Sequence, residues 1–200
     1  MAKLKEYKKK RNFKATPEPK GKVKKSTGLP KFVIQQHAAT ADHFDFRLEI
    51  HGTLKSWAVP KGPSMNPSVK RLAIETEDHP LEYANFEGII PKGEYGGGEV
   101  LIWDKGTFVN EKEDISLEQS YKNGEITVYL KGKKIKGGYA LVRMGKPAKK
   151  VQWLLIKKRD EEADARRNPT KTQTKSVISG KTIKDLEKRS KRSKKNPSKK

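Results

Sequence analysis

The sequence predicts a mainly β protein, an antiparallel sandwich or barrel with little helix. Three observations lead there. Between residues 32 and 165 the apolar pattern runs mostly with period two. Turn signals punctuate it at short intervals: His51-Gly52, Pro60 to Pro63, Asn66-Pro67, Gly96-Gly97-Gly98, Asn123-Gly124 and Gly137-Gly138. Helical periodicity is weak throughout.

The elements follow in order. Phe32–His37 and His43–His51 read as strands joined by the five residues AATAD. The His51-Gly52 turn leads into Leu54–Val59, which the proline cluster at 60–63 ends. Arg71–Thr76 follows Asn66-Pro67. The triple glycine precedes Glu99–Trp103 and Gly106–Val109. Asn123-Gly124 introduces Glu125–Leu130, Gly137 introduces Gly138–Arg143, and Gln152–Lys157 closes the series. Short helices are expected within 111–120 and over Ile183–Arg189. PKGEYGGGEV lacks the GK[ST] ending of a phosphate loop and reads as a tight hairpin.

Charge divides the 200 residues into three segments. The net charge is +22. Residues 1–31 hold 12 basic and 2 acidic residues, and 166–200 hold 14 basic and 2 acidic. The middle, 32–165, balances at 20 of each and is long enough to bury a core. The expected organisation is a basic N-terminal segment (1–31), a neutral β domain (32–165) and a disordered basic tail (166–200). Basic tails of this kind attract polyanions such as nucleic acid. A membrane surface fits less well, because no apolar face accompanies the lysines. The chain has no cysteine, which excludes disulfides, thiolate catalysis and cysteine-held metal centres. No apolar run approaches the about 18 residues needed to cross a bilayer. No signal peptide is visible either, so the expectation is a cytoplasmic, nucleoid-associated protein.

The chemistry concentrates in one strand. In HFDFRLEIH, one face carries Phe44, Phe46, Leu48 and Ile50; the other carries His43, Asp45, Arg47, Glu49 and His51. Same-side neighbours lie roughly 6.5–7 Å apart along a strand. A hairpin loop over AATAD brings His37 beside His43. His37, His43 and Asp45 then form a facial set suited to Mn, Fe, Co or Zn, the set also used by iron oxygenases. Arg47 points instead to an anionic substrate, since guanidinium binds phosphate bidentately. His79 precedes Pro80, which holds it extended. His51 adjoins a turn and reads as surface. The competing reading of the whole face is solvated polar residues in routine cross-strand pairs.

QQHAATADHFDFRLEIHGTLKSWAVPKGPS and KRLAIETEDHPLEYANFEGIIPKGEYGGGEVLIWDKGTF resemble the 3′-phosphoesterase domain of bacterial DNA ligase D, of which stand-alone versions occur. The resemblance runs from about Tyr7 to Ala163. It implies an antiparallel β-barrel with a groove for a DNA 3′ end. The implied activity is Mn-dependent removal of 3′-phosphate, and of a 3′-terminal ribonucleotide, to leave a 3′-OH in non-homologous end joining. Co²⁺ or Zn²⁺ can take the same site. His37, His43 and Asp45 resemble the metal ligands. Arg47 and His79 resemble the groups that hold the reacting phosphate. Lys61, Arg71, Glu77 and Tyr83 match further positions needed for activity, and Gln35 a supporting one. YKKKRNFKATPEP resembles the family's N-terminal motif, with Arg11 and Glu18 at active-site positions and residues 7–20 packed on the groove. Asn12 departs from the usual Asp, which puts the ribonucleotide step in question. SVISGKTIKDLEK resembles a segment of ligase D chains without an assigned role. The implied partners are primer-template or duplex 3′ ends, and separate ligase, polymerase and Ku-type proteins, around a monomer. The competing class is a non-catalytic basic DNA-binding adaptor for a ligase.

Overall fold

The computed structural model describes residues 4–24, 28–145 and 150–195. Its strands are β1 (Lys31–Ala38), β2 (Asp42–Ile50), β3 (Thr53–Val59), β4 (Lys70–Glu75), β5 (Gly88–Ile90), β6 (Gly98–Asn110), β7 (Glu125–Lys131), β8 (Lys136–Arg143) and β9 (Gln152–Lys157). The order is β1-β2-β3-β4-β9-β8-β7-β6, with β6 returning to pair with β1. Eight antiparallel strands therefore close into a barrel, and β5 adds to β6 outside the ring. Closure removes the exposed edges that an open sheet would leave. Of the two β architectures, the barrel is the one formed.

The short helices are α1 (Lys5–Lys9), α2 (Leu117–Asn123), α3 (Pro169–Thr172) and α4 (Ile183–Lys195), with a 3₁₀ turn at Leu81–Asn85. The helix expected within 111–120 begins later, at Leu117. Ser116 caps it by accepting from Gln119 N–H at 3.2 Å, and Gly124 ends it at φ 83°. The two strands expected over 99–109 are one continuous β6. Gly106 does not interrupt it, because the barrel brings Lys131 O against its missing Cβ. The three-residue β5 was not foreseen. The hairpin turn His51-Gly52 has φ of 50° and 80°, the left-handed pair that a two-residue turn needs.

Two apolar clusters lie against the barrel wall. The larger contains Phe44, Phe46, Leu48 and Ile50 from β2, with Trp57, Trp103 and Trp153 fully buried. Truncating one such Trp to Ala would cost about 3–5 kcal/mol. The smaller joins Leu4 and Tyr7 of the N-terminal segment to Val33, Leu54, Tyr83 and Ile102. This second cluster covers the face of β2 opposite the first. It explains why β2 is buried at every position from Phe44 to Ile50, charged residues included. A solvated polar face is thereby ruled out for Asp45, Arg47 and Glu49.

The tail departs from its composition over residues 166–189. Gln173 O accepts from Trp103 Nε1 at 2.8 Å, Val177 N–H donates to Ile102 O at 3.1 Å, and Leu186 joins the larger cluster. Composition counts apolar residues within the tail but not the surface that the barrel offers them. Residues 196–200, the end of the low-complexity stretch, lie outside the described residues.

Candidate metal and phosphate site

The β1–β2 register builds the core of the site. His37 lies opposite His43, Gln35 opposite Asp45, and Val33 opposite Arg47. Directly opposed residues have Cβ atoms about 4.5–5.5 Å apart. The two imidazole centroids are 4.8 Å apart. One nitrogen from each ring and an oxygen of Asp45 all lie within 4.8 Å of one another.

Backbone carbonyls set the tautomers. His37 Nε2 is 2.9 Å from Gly96 O, and His43 Nδ1 is 2.8 Å from Ala41 O. A carbonyl only accepts, so each of these nitrogens carries its ring's proton. His37 Nδ1 and His43 Nε2 are left facing Asp45 at 3.4 and 3.6 Å. Neutral rings would aim two lone pairs at a carboxylate, an arrangement that a shared cation, or a proton on either ring, relieves. The electrostatics agree. Burial opposes charge on His43, yet the Asp45 carboxylate raises its pKa above the ordinary 6.5. Burial also works against the Asp45 anion. Arg47 and the two imidazoles override it and hold the carboxyl well below its ordinary 3.8. Two imidazoles and a carboxylate, each braced from behind, fit a divalent first-row metal ion.

Arg47 is buried beside this set. Its Nη2 donates to Asp45 Oδ2 at 2.9 Å, its Nε donates to Gln35 Oε1 at 2.8 Å, and its Nη1 lies 2.9 Å from His79 Nδ1. Gln35 is fixed in turn by donating to Tyr83 O and Phe86 O. Asp45 and Gln35 thus engage two of Arg47's five N–H groups, which leaves one on Nη2 and both on Nη1 for an anion.

His79 is aimed by its backbone, which bridges to Leu54 through two hydrogen bonds of 2.8 and 3.0 Å. Its Nδ1 is 2.8 Å from Glu77 O and 3.3 Å from Ser56 Oγ, and its Nε2 is 3.1 Å from Arg11 Nη2. Glu77 O can only accept, and Arg11 can only donate. The neutral ring with its proton on Nδ1 satisfies both, and it then offers Arg47 Nη1 no lone pair. Burial first, then Arg47 and Arg11, push its pKa well below the ordinary value.

The N-terminal segment supplies the far wall. Arg11 lies over the Tyr7 ring at 4.1 Å, with Nε 3.0 Å from Glu18 Oε1 and Nη1 2.7 Å from Glu77 Oε1. Tyr83 OH donates to the same Glu18 oxygen at 3.0 Å. Glu77 is held below the ordinary carboxylate value: burial opposes this, and Arg11 and Lys10 outweigh it. Between the walls is a cavity of about 160 Å³, lined among others by Arg11, His43, Arg47, His79 and Tyr83.

Of the residues singled out from the sequence, Gln35 and Glu18 stand behind the lining as partners of Arg47 and Arg11, and three more lie away from it. Lys61 is exposed in the turn after β3. Arg71 lies on β4, and its buried Nε has no protein partner. Asn12 is exposed and accepts from Lys14 N–H in a local turn. Conversely, Tyr7, Ser56, Tyr95 and the Gly96 carbonyl belong to the site without having been singled out. Ser56 was recoverable, since the β2–β3 hairpin sets it opposite Arg47. Tyr95 and Gly96 sit in a glycine-rich turn that gave no chemical signal.

The model of the DNA Ligase D 3′-phosphoesterase domain family matches residues 35–143, more than half of the chain. The chain belongs to that family. It is 46% identical over 184 residues to a multifunctional non-homologous end joining protein LigD of Pseudomonas aeruginosa, which covers 90% of this chain and 22% of that protein. A multifunctional non-homologous end joining DNA repair protein LigD of Mycobacterium tuberculosis is 52% identical over 141 residues, 70% of this chain and 18% of its own. A LigD of Mycolicibacterium smegmatis is 43% identical over 164 residues, 80% and 21% respectively. The chain thus spans about a fifth of the length of these relatives. Among the described residues no helix is long and apolar enough to cross a membrane.

Proposed function

We propose that this protein heals DNA 3′ ends in repair by non-homologous end joining, as a metal-dependent phosphoesterase. It removes a 3′-phosphate, and a 3′-terminal ribonucleotide, to leave a 3′-OH. One observation carries the reading: the candidate metal set His37, His43 and Asp45 shares a cavity with the buried Arg47 and Arg11. Those two guanidiniums suit a phosphate, and the family match supports the same chemistry.

An ion bound by His37, His43 and Asp45, with Mn²⁺ the expected one and Co²⁺ or Zn²⁺ able to replace it, would act as a Lewis acid on a nonbridging phosphate oxygen. Arg47 neutralises a second oxygen with its unengaged N–H groups. Arg11 approaches from the opposite wall. His79 spaces the two guanidiniums. It stays neutral with both ring nitrogens engaged, so its role is positioning rather than proton donation to the departing oxygen. We take water as the nucleophile: the chain has no thiol, and the Ser56 hydroxyl is spent donating to Leu54 O at 3.1 Å.

The test is a primer-template with a 3′-phosphate, incubated with Mn²⁺, Mg²⁺, Zn²⁺ or EDTA. Metal-dependent conversion to 3′-OH, lost in His43→Ala, is the expected result. Tight binding without conversion under any metal, and equally none on a ribonucleotide-ended primer, would leave a non-catalytic adaptor.

A further inference from the structure

Tyr95 belongs to the cavity but has no part in the chemistry above. The chain has 3 Trp, 6 Tyr and 6 Phe, and among the described residues Tyr95 is the one aromatic side chain that is exposed, at 48%. A single exposed apolar side chain is ordinary on a protein surface. This one stands where the chemistry is: it lines the cavity that also holds His37, His43, Asp45, Arg47 and Arg11.

The ring is carried by the turn between β5 and β6. Glu94 N–H donates to Pro91 O at 3.2 Å, and Gly97 N–H donates to Glu94 O at 3.0 Å. Gly96, the next residue, takes φ 75°, and its carbonyl holds His37 Nε2 at 2.9 Å. The turn thus fixes Tyr95 beside the proposed metal set. Lys10 Nζ lies 5.0 Å from the ring centre and the Arg11 guanidinium carbon 5.4 Å. Neither cation depends on that ring. Lys10 is paired with Glu77 at 3.1 Å. Arg11 is bound to Glu18 and Glu77 and lies closer, at 4.1 Å, over Tyr7. What remains is an open aromatic surface at the mouth of the proposed phosphate site.

We propose that Tyr95 stacks on the base of the terminal nucleotide whose 3′-phosphate enters the cavity, so that the site tells a nucleotide end from a phosphate on any other alcohol; this rests on the phosphoesterase reading. The phosphate of such an end is joined directly to the sugar, and the sugar to the base. The ring centre is 5.4 Å from the Arg11 guanidinium carbon, so one nucleotide can present its phosphate to the arginine and its base to the ring. A paired terminal base keeps one face free, because its neighbour in the strand covers only the other. Stacking of this kind is tolerant of sequence, since every base has a π-face. Any phosphate satisfies the guanidiniums, so the charges cannot discriminate and the ring can.

The experiment uses the full chain and 3′-phosphate primer-templates of two kinds, one ending in 2-aminopurine and one ending in an abasic sugar. Stacking on the ring is expected to quench the 2-aminopurine on binding. Tyr95→Phe keeps the face and should keep the quenching, whereas Tyr95→Ala should lose it. In turnover, Tyr95→Ala is expected to raise KM for the base-bearing end by at least about fivefold, the low end of base–aromatic stacking. The rise on the abasic end should be far smaller, and the wild-type protein should treat the four natural bases alike. Wild-type quenching in Tyr95→Ala overturns the proposal. So does an equal rise in KM on both ends, which would mean that the ring only steadies Arg11. Loss of quenching in Tyr95→Phe overturns it as well, since the hydroxyl rather than the face would then be at work. The fluorescence needs no turnover. Quenching lost only in Tyr95→Ala, in a protein that hydrolyses nothing, would sustain the stacking face and sink the phosphoesterase; turnover without quenching in the wild type would do the reverse.

Discussion

The two walls of the cavity differ in how they are made. The proposed metal wall is local: His37, His43 and Asp45 come from one hairpin within nine residues, and strand register alone opposes them. The proposed phosphate wall is assembled over distance. Arg11 and His79 are 68 residues apart, and Glu18 and Tyr83 are 65 apart. Local geometry places a few donors well, whereas holding two buried guanidiniums apart needs several carboxylates and a neutral imidazole. The hairpin wall should therefore fail all at once, and the assembled wall by degrees.

The largest effect is expected from Asp45→Ala. It removes a ligand and leaves Arg47 buried without its carboxylate, a loss of about 3–5 kcal/mol in stability. Metal binding by calorimetry and turnover should vanish together. If metal still binds with wild-type affinity, the hairpin wall is not the metal site. Arg47→Lys comes next. It keeps the charge but loses the fork, so metal affinity should hold while kcat falls by about 10²–10³-fold. Glu18→Gln loosens Arg11 and Tyr83 from behind, and supporting partners of this kind are worth about 10–100-fold. A fall as large as that of Arg47→Lys would show that the two walls act as one unit.

A pH series sharpens the same contrast. In the metal-free protein the raised His43 pKa means that the protonated ring stabilises the fold below the ordinary 6.5. That contribution is lost as pH rises through the raised value. Metal binding needs the neutral ring, so it runs the opposite way: affinity climbs with pH until His43 has lost its proton, then levels. The Arg11–Glu77 pair behaves differently. Glu77 is depressed, so its contribution is present above the ordinary 4.5 and is lost only as pH falls through the depressed value. Calorimetric metal titrations between pH 5 and 8 should therefore show the metal wall titrating. Thermal melts over the same range, with metal present, should leave the N-terminal wall intact.

The same division governs what the sequence made legible. Period two and a five-residue loop were enough to align His37, His43, Asp45 and Arg47, because strand geometry turns spacing directly into position. No periodicity links Arg11 to His79: His79 stood out as a histidine fixed before a proline, whereas Arg11 entered through resemblance to the family. That resemblance also ranked Lys61 and Arg71 with the site, although neither lines the cavity. The burial of Arg47 was invisible for a related reason: it depends on Tyr7 and the Leu81–Asn85 turn folding over β2 from elsewhere in the chain. The short β5 carries too few residues to show a period. Segment 166–189 misled composition because its few apolar side chains pack on the barrel rather than on one another.

Asn12 is where the smallest effect is expected. The family usually has Asp there, and in sequence terms that departure weakens the case for ribonucleotide removal. In the structure the side chain is exposed, its Oδ1 accepts from Lys14 N–H at 3.2 Å, and its carbonyl accepts from Ala15 and Thr16 N–H. Asp and Asn form this turn equally well, since the bond needs only an acceptor oxygen on a short side chain. The side chain steadies the start of the loop that carries Glu18 back to Arg11. Asn12→Asp should therefore change turnover on a ribonucleotide-ended primer by less than about twofold, the scale of a surface substitution within about 0.5 kcal/mol. A gain confined to the ribonucleotide substrate, with 3′-phosphate removal unchanged, would instead mean that residue 12 reaches the substrate when DNA is bound. The N-terminal wall would then be a moving part rather than a fixed one.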